Sequence, residues 1–257
     1  MHSRQDRVAK RQCAASASSV ARKLEVDERL SFCMACAFSH VCLSRGIDSE
    51  ALGQLDELID HVGPLKAGDV IFRKGDGFKS IAAVRAGTVK TCVIDREGRE
   101  HVLGFHLPGE VIGLSAIDEN QYRCNAVALD TVMICQFSFD RIASLATRVP
   151  DLQQQLFRLI SREIGNATLM MGDWSPDQRM AVFLMDFSRR LAIRGFSEKR
   201  FQLTMSRIDI ANYLRLAPET VSRVLKRFQD DGLARIDKRE IELLDRRRIS
   251  AIANVVP

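Results

Sequence analysis

The chain has 257 residues, 46% hydrophobic and 28% charged, with a net charge of +5. That composition excludes a disordered chain and allows one large domain or two small ones. No apolar run approaches the ~20 residues of a membrane helix, and no Walker loop, HExxH, GxSxG or GxGxxG pattern is present, so the common enzyme classes find no support and a non-enzyme is expected.

Residues 1–29 read as a disordered basic tail with a balance of +3. Met1 to Gln12 is Arg/Lys-rich but has no apolar core of a secretory signal behind it. Seven cysteines, Cys13, Cys33, Cys36, Cys42, Cys92, Cys124 and Cys135, form an odd set. With no signal segment, that predicts free thiols and a cytoplasmic protein. Cys33-Met-Ala-Cys36-Ala-Phe-Ser-His-Val-Cys42 places three thiols in ten residues as C-x2-C-x5-C, a crowding that packing does not require.

Residues 48–62 predict a helix capped by Asp48 or Ser49, with Leu52, Leu55, Leu58 and Ile59 at helical spacing. From Pro64 to Phe139 the texture changes to short β-rich runs separated by glycine. Val70–Phe72, Ile81–Arg85, Val89–Ile94, His101–Phe105 and Thr131–Phe137 read as strands, and Asp95-Arg-Glu-Gly98 reads as a hairpin tip. Such spacing predicts an antiparallel roll or barrel.

Residues 150–172 carry one apolar stripe: Leu152, Leu156, Leu159, Ile160, Ile164, Ala167 and Met171. It fits a core helix, and it fits a seam between two copies, which the downstream sequence favours. Ser175-Pro-Asp-Gln178 then holds a capping box with proline in the first turn. Met180, Phe183, Leu184, Phe187 and Leu191 supply the buried face of that helix, and Gly195 ends it.

Residues 177–257 hold 17 Lys/Arg against 11 Asp/Glu, a balance of +6, whereas residues 30–176 balance at −4. A basic end on an acidic body points to a polyanion partner. Ser206 to Leu214, a turn Arg215-Leu216-Ala217, and a second helix from Pro218 to Asp230 make a helix-turn-helix. Val221, Val224, Leu225 and Phe228 form its buried side. Glu219, Ser222, Arg223, Lys226 and Arg227 face outward, where Arg can grip guanine, Glu can accept from cytosine, and Lys can neutralise phosphate. Ala234–Ile236 and Glu240–Leu243 read as a β wing. Ala217 is a poor N-cap, costing ~1 kcal/mol, and a left-handed Arg215 would cost ~1–2 kcal/mol.

A Gly-punctuated roll, a long helix and a winged helix-turn-helix resemble the cyclic-AMP receptor superfamily of bacterial regulators. Cys33, Cys36 and Cys42 followed by Cys135, with Gly104-Phe-His-Leu-Pro-Gly-Glu110, Arg189-Arg-Leu-Ala-Ile-Arg-Gly-Phe196 and Glu219-Thr-Val-Ser-Arg223, resemble its FNR (fumarate and nitrate reduction) group. The resemblance spans about residues 30–245. It implies an α+β fold: a cysteine loop and β-roll sensor over 30–148, a dimerisation helix over 149–175, and a DNA-binding winged helix over 176–257.

The resemblance also implies a homodimer that senses oxygen or nitric oxide through a [4Fe-4S] cluster and activates anaerobic genes at TTGAT…ATCAA palindromes. RNA polymerase is a partner, with the Asp95–Gly98 hairpin a candidate contact. A four-thiolate cluster suits the chemistry. The family pattern places the fourth ligand at Cys135, with Cys124 the rival. Cys92 reads as core, and His40 as a solvent-facing loop residue. The alternatives are a zinc or thiol interaction protein, and a cyclic-nucleotide regulator using Gly109-Glu110 and Arg123. For the latter, Cys124 stands where relatives have Ser or Thr. Ala167 replaces an Asp common in FNR-type relatives, which removes a repulsion across the dimer axis.

Overall fold

The computed structural model describes residues 32–169 and 174–253. The tail 1–29 with Cys13, the residue Met171 and the side chain of Ala167 lie outside the described residues.

Helix α1 (Ser49–Asp56) starts where the Asp48 carboxylate accepts the Ala51 N–H at 2.8 Å. It is shorter than its apolar spacing predicts. The chain turns after Asp56, and Ile59 opens strand β1 (Ile59–Leu65) opposite Phe137. Ladder pairing on a sheet overrides local periodicity there, because Ile59 and Val62 suit a half-buried strand.

Two four-stranded antiparallel sheets make the roll. One runs in the order β1, β8 (Val132–Ser138), β3 (Ser80–Ala86), β6 (Val111–Ile112). The other runs β2 (Val70–Phe72), β7 (Asn125–Ala128), β4 (Val89–Ile94), β5 (Glu100–His106). The β4–β5 hairpin turns at Asp95–Gly98 as expected, with Asp95 accepting the Glu97 and Arg99 N–H groups and Gly98 at φ +78°. Helix α2 (Phe139–Ala146) escaped the sequence reading. Its Ile142 and Leu145 close the first sheet's outer core.

Helix α3 (Pro150–Leu169) follows, then α4 (Pro176–Ala192) with the expected Ser175/Gln178 capping box. The C-terminal unit holds β9 (Arg200–Gln202), α5 (Arg207–Leu214), α6 (Pro218–Asp230), β10 (Ala234–Asp237), β11 (Glu240–Leu243) and α7 (Arg246–Ala253). The wing is the β10–β11 hairpin, extended by β9. Ser206 and Asp209 form a reciprocal capping box on α5. Arg215 is left-handed at φ 55°, the case that carries the backbone cost, and Ala217 offers α6 no side-chain cap, as expected.

The two units share an apolar core: Val102, Phe105 and Leu107 of the roll pack with Phe183, Leu184 and Leu214. Polar contacts fix the angle between them. Asn212 accepts the Val102 N–H at 2.7 Å and donates to the Glu100 carbonyl, so α5 reads the edge of β5. Lys90 bridges Glu100 at 2.7 Å and Asp209 at 2.6 Å.

Candidate functional site

The cysteine segment is pinned at its start by one carboxylate. Asp56 accepts the Phe32 N–H and, at 3.0 Å, the Cys33 N–H. Turns then carry the chain from Cys33 to Cys36 and through Ser39–Val41 to Cys42. The Cys42 carbonyl accepts from the Gln155 amide on α3 at 3.1 Å. Cys135 sits mid-strand in β8, paired with His61 on one side and Ala83 on the other. The Phe32 ring lies 4.1 Å from the His61 ring and 3.9 Å below the Arg85 guanidinium. These contacts lay the segment against the strands that carry Cys135.

Electrostatics sort the described cysteines into two groups. Burial pushes Cys33 well above the usual thiol range, helped by the Asp56 carboxylate and by the charges of Cys42 and Cys135. Burial raises Cys135 to about 12, with Cys42 and Cys36 adding and Arg85 opposing. Burial raises Cys42 to about 11, against backbone N–H donors from Leu43 and Ser44, and Cys36 adds to the rise. Cys135 thus lies within electrostatic reach of thiols of the segment.

Cys124 belongs elsewhere. Burial raises it to about 11, and its charged neighbours are Glu163 and Cys92 rather than the loop thiols. Cys92 is buried in β4, as expected of core. Among the described residues, no three of His, Cys, Asp and Glu converge as they would on a single metal ion. His40 is exposed but bonds the Ile193 carbonyl through Nε2 at 2.6 Å.

The residues that could hold a cyclic nucleotide are otherwise engaged. Glu110 takes Arg190 at 2.6 Å and Arg194 at 2.7 Å. Arg123 lies at the surface, paired with Asp118 at 3.0 Å and Glu119 at 2.7 Å.

On α6 the apolar stripe is buried and Glu219, Ser222, Arg223, Lys226 and Arg227 are all exposed. The last four, with Asp230, line an open concavity. Their freedom differs. Ser222 donates to the Pro218 carbonyl at 3.0 Å, and Lys226 pairs with Asp230 at 3.0 Å. Arg227 is gripped through two nitrogens by Asp177 of α4, each at 3.0 Å. Glu219 and Arg223 have no hydrogen-bonding partner among the described residues. Sequence reasoning missed Asp56 and Asp177, because each acts on a residue more than twenty positions away.

The α3 stripe divides. Leu152 is 0% exposed and Leu159 7%, both inside the roll's own core, with Leu156 and Ile160 partly buried beside them. Phe157 and Ile164, at 62% and 64%, face outward. Leu152 is therefore a core residue, which corrects its expected place on a seam: it lies in the same apolar cluster as Ile142 and Leu145 of α2, the helix that packs on α3.

An antiparallel β-roll joined to a winged helix-turn-helix defines the class as a regulator of the Crp type. Residues 63–148 match the cyclic nucleotide-binding domain family, and residues 178–252 match the Crp-like helix-turn-helix domain. The chain is 42% identical over 224 residues to the transcriptional activator protein Anr of Pseudomonas aeruginosa, covering 86% of this chain and 92% of that one. It is 38% identical over 224 residues to the fumarate and nitrate reduction regulatory protein of Salmonella typhimurium, covering 86% and 90%. The structure of FixK2 from Bradyrhizobium japonicum matches with a TM-score of 0.70 and 26% identity, covering 77% of this chain and 99% of that one. The chain belongs to the FNR/Anr family of bacterial transcription regulators, which are DNA-binding proteins and not enzymes. No helix among the described residues is long and apolar enough to cross a membrane.

Proposed function

We propose that this regulator senses oxygen or nitric oxide through a [4Fe-4S] cluster held by Cys33, Cys36, Cys42 and Cys135, and activates anaerobic genes at TTGAT-type palindromes. The observation that carries this reading is geometric: the segment that bears Cys33, Cys36 and Cys42 is laid against the sheet whose β8 carries Cys135, with the Phe32 ring 4.1 Å from His61, the ladder partner of Cys135. Four thiols match the ligand set of such a cluster. When bound, the cluster supplies an oxygen-labile bridge between the cysteine segment and the roll. The chain's own part is positional. Asp56 holds the segment's start, β8 holds Cys135, and Gln155 ties the segment's end to α3.

Anaerobically purified protein is expected to contain about four irons and four acid-labile sulfides per chain. Stoichiometric zinc without sulfide, or a co-purified cyclic nucleotide, would sink the reading. The engagement of Glu110 by two arginines and of Arg123 by surface carboxylates speaks against the nucleotide.

The working form in this reading is a homodimer on double-stranded DNA, in contact with RNA polymerase. Its seam runs along the exposed Phe157 and Ile164, seven residues apart, with the half-buried Leu156 and Ile160 beside them. Ala167 falls on the same stripe by sequence spacing.

In the reading head, Arg223 and Glu219 stand ready for base edges, whereas Arg227 is committed to Asp177. Arg223→Ala is expected to cost ~1–3 kcal/mol on the cognate site and to relax preference at one base pair. Lys226→Ala is expected to weaken all sequences alike and to flatten the salt dependence by about one unit of slope. Titrating cognate and random duplexes at several salt concentrations tests both. Equal weakening of the two duplexes by Arg223→Ala would remove Arg223 from base reading.

A further inference from the structure

The stretch between Cys36 and Cys42 touches the DNA-reading unit directly. The Phe38 ring lies 6.2 Å from the Phe196 ring, centre to centre. His40 Nε2 lies 2.6 Å from the carbonyl of Ile193, the residue that caps α4. On its other side the same stretch is wedged against the turn at Pro108–Glu110. Val41 is buried there, and a Cβ on Gly109, which has φ +87°, would stand 2.5 Å from Val41 Cγ2 and 3.4 Å from Phe38 Cβ. That turn is itself bolted to α4. The Pro108 carbonyl accepts from Arg194 Nε at 2.5 Å, and Glu110 takes both Arg190 and Arg194.

The cysteine segment thus has two outlets. Gln155 leads to α3, the helix of the expected dimer seam. Phe38, His40 and Val41 lead to α4 and the reading head of the same protomer. The other junction contacts, the apolar core around Phe105, Arg190 on the Phe105 carbonyl, Asn212 on β5 and Lys90 with Asp209, involve no residue of the segment. Only the second outlet can make the head's placement depend on the state of the thiols without passing through the dimer.

We propose that Phe38 and His40 are positioning residues, which couple the state of the thiol site to the orientation of the DNA-reading unit within one protomer. The proposal rests on the cluster reading above. A segment held by ligation keeps both contacts in place. A segment released at three thiols loses the wedge against Gly109, and with it the contacts to Ile193 and Phe196.

The test uses Phe196→Ala, which lies outside the cysteine segment, and His40→Ala, an exposed position that keeps the test decisive if the first variant folds poorly. For each full-length variant, three quantities are measured: iron content, the dimer constant by sedimentation, and affinity for a TTGAT palindrome with and without the cluster. Iron content and the dimer constant are expected to match the parent. The ratio of loaded to cluster-free affinity is expected to shrink by about fivefold or more, the lower end of usual allosteric coupling, and Phe196→Tyr is expected to restore it. An unchanged ratio in both variants would overturn the proposal. So would an equal loss in the loaded and cluster-free forms, which marks a merely structural contact. A parent without iron would overturn the cluster reading and the coupling with it, whereas an iron-loaded parent with an unchanged ratio overturns the coupling alone.

Discussion

Cys135→Ser protein purified without oxygen is expected to carry no [4Fe-4S] cluster, whereas Cys124→Ser protein is expected to load fully. Four thiolates complete the ligand set, and the three in the cysteine segment have one described partner thiol near them, Cys135. Cys124 lies near Cys92 and Glu163 instead. Serine keeps the size and removes the soft sulfur ligand, so the packing around β8 survives while ligation fails. Cys33→Ser, Cys36→Ser and Cys42→Ser are expected to lose the cluster as Cys135→Ser does, and Cys92→Ser to keep it. The measurement is iron and sulfide per chain, with regulated DNA binding alongside. Full loading in Cys135→Ser together with loss in Cys124→Ser would transfer the fourth ligand to Cys124.

Glu110→Ala is expected to destabilise the cluster-free protein by about 3 kcal/mol at pH 7. Among the described residues Glu110 is the one carboxylate paired with both Arg190 and Arg194, and Arg190 has a longer second pairing with Asp186 at 3.4 Å. The side chains of Glu110, Arg190 and Arg194 are 20%, 18% and 2% exposed. Removing one partner of a buried pair leaves uncompensated charge, typically costing about 3–5 kcal/mol. The charge environment points in the same direction. Burial alone would raise the Glu110 carboxyl, but the two guanidinium groups overcome it and hold the group at about 2, against an ordinary 4.5.

The sign follows from the depressed value. The folded protein binds this proton less readily than the unfolded chain. The contribution is therefore complete above pH 4.5 and is lost as pH falls toward 2. Burial likewise holds His106 near 4, below its ordinary 6.5, so its contribution also fades as the solution turns acid, from about pH 6.5 downward. Urea unfolding of parent and variant checks this. The gap between them should be widest at neutral pH and should narrow below pH 4.5. A gap under about 1 kcal/mol at pH 7 would mean that the arginines find other partners or water.

Features whose partners lie a few residues apart could be read from the chain before it was folded. The capping boxes at Ser175/Gln178 and Ser206/Asp209, the tight turn at Arg215–Ala217, the hairpin at Asp95–Gly98 and the outward face of α6 were all legible. Each is a bond or a periodicity closed within one or two turns of chain. Short elements with little pattern of their own, such as α2, β6, β7, β9 and α7, were not legible, because packing against the sheets and core rather than propensity makes them. Helix α1 yielded its last turn to β1 for the same reason.

The site divides along the same line. The spacing of Cys33, Cys36 and Cys42 was visible at once, but only the folded roll brings Cys135 to them and places Cys124 elsewhere. Only the fold shows Asp56 gripping Cys33, Asp177 holding Arg227 and Glu110 meeting two arginines some eighty residues on. It likewise decides that Leu152 is core while Phe157 is exposed. A helix shows its stripes in sequence, but which stripe is covered depends on the surface laid against it. Here that surface comes from α2 and from the apolar cluster that also holds Leu43 and Leu55, and no pattern within α3 specifies either.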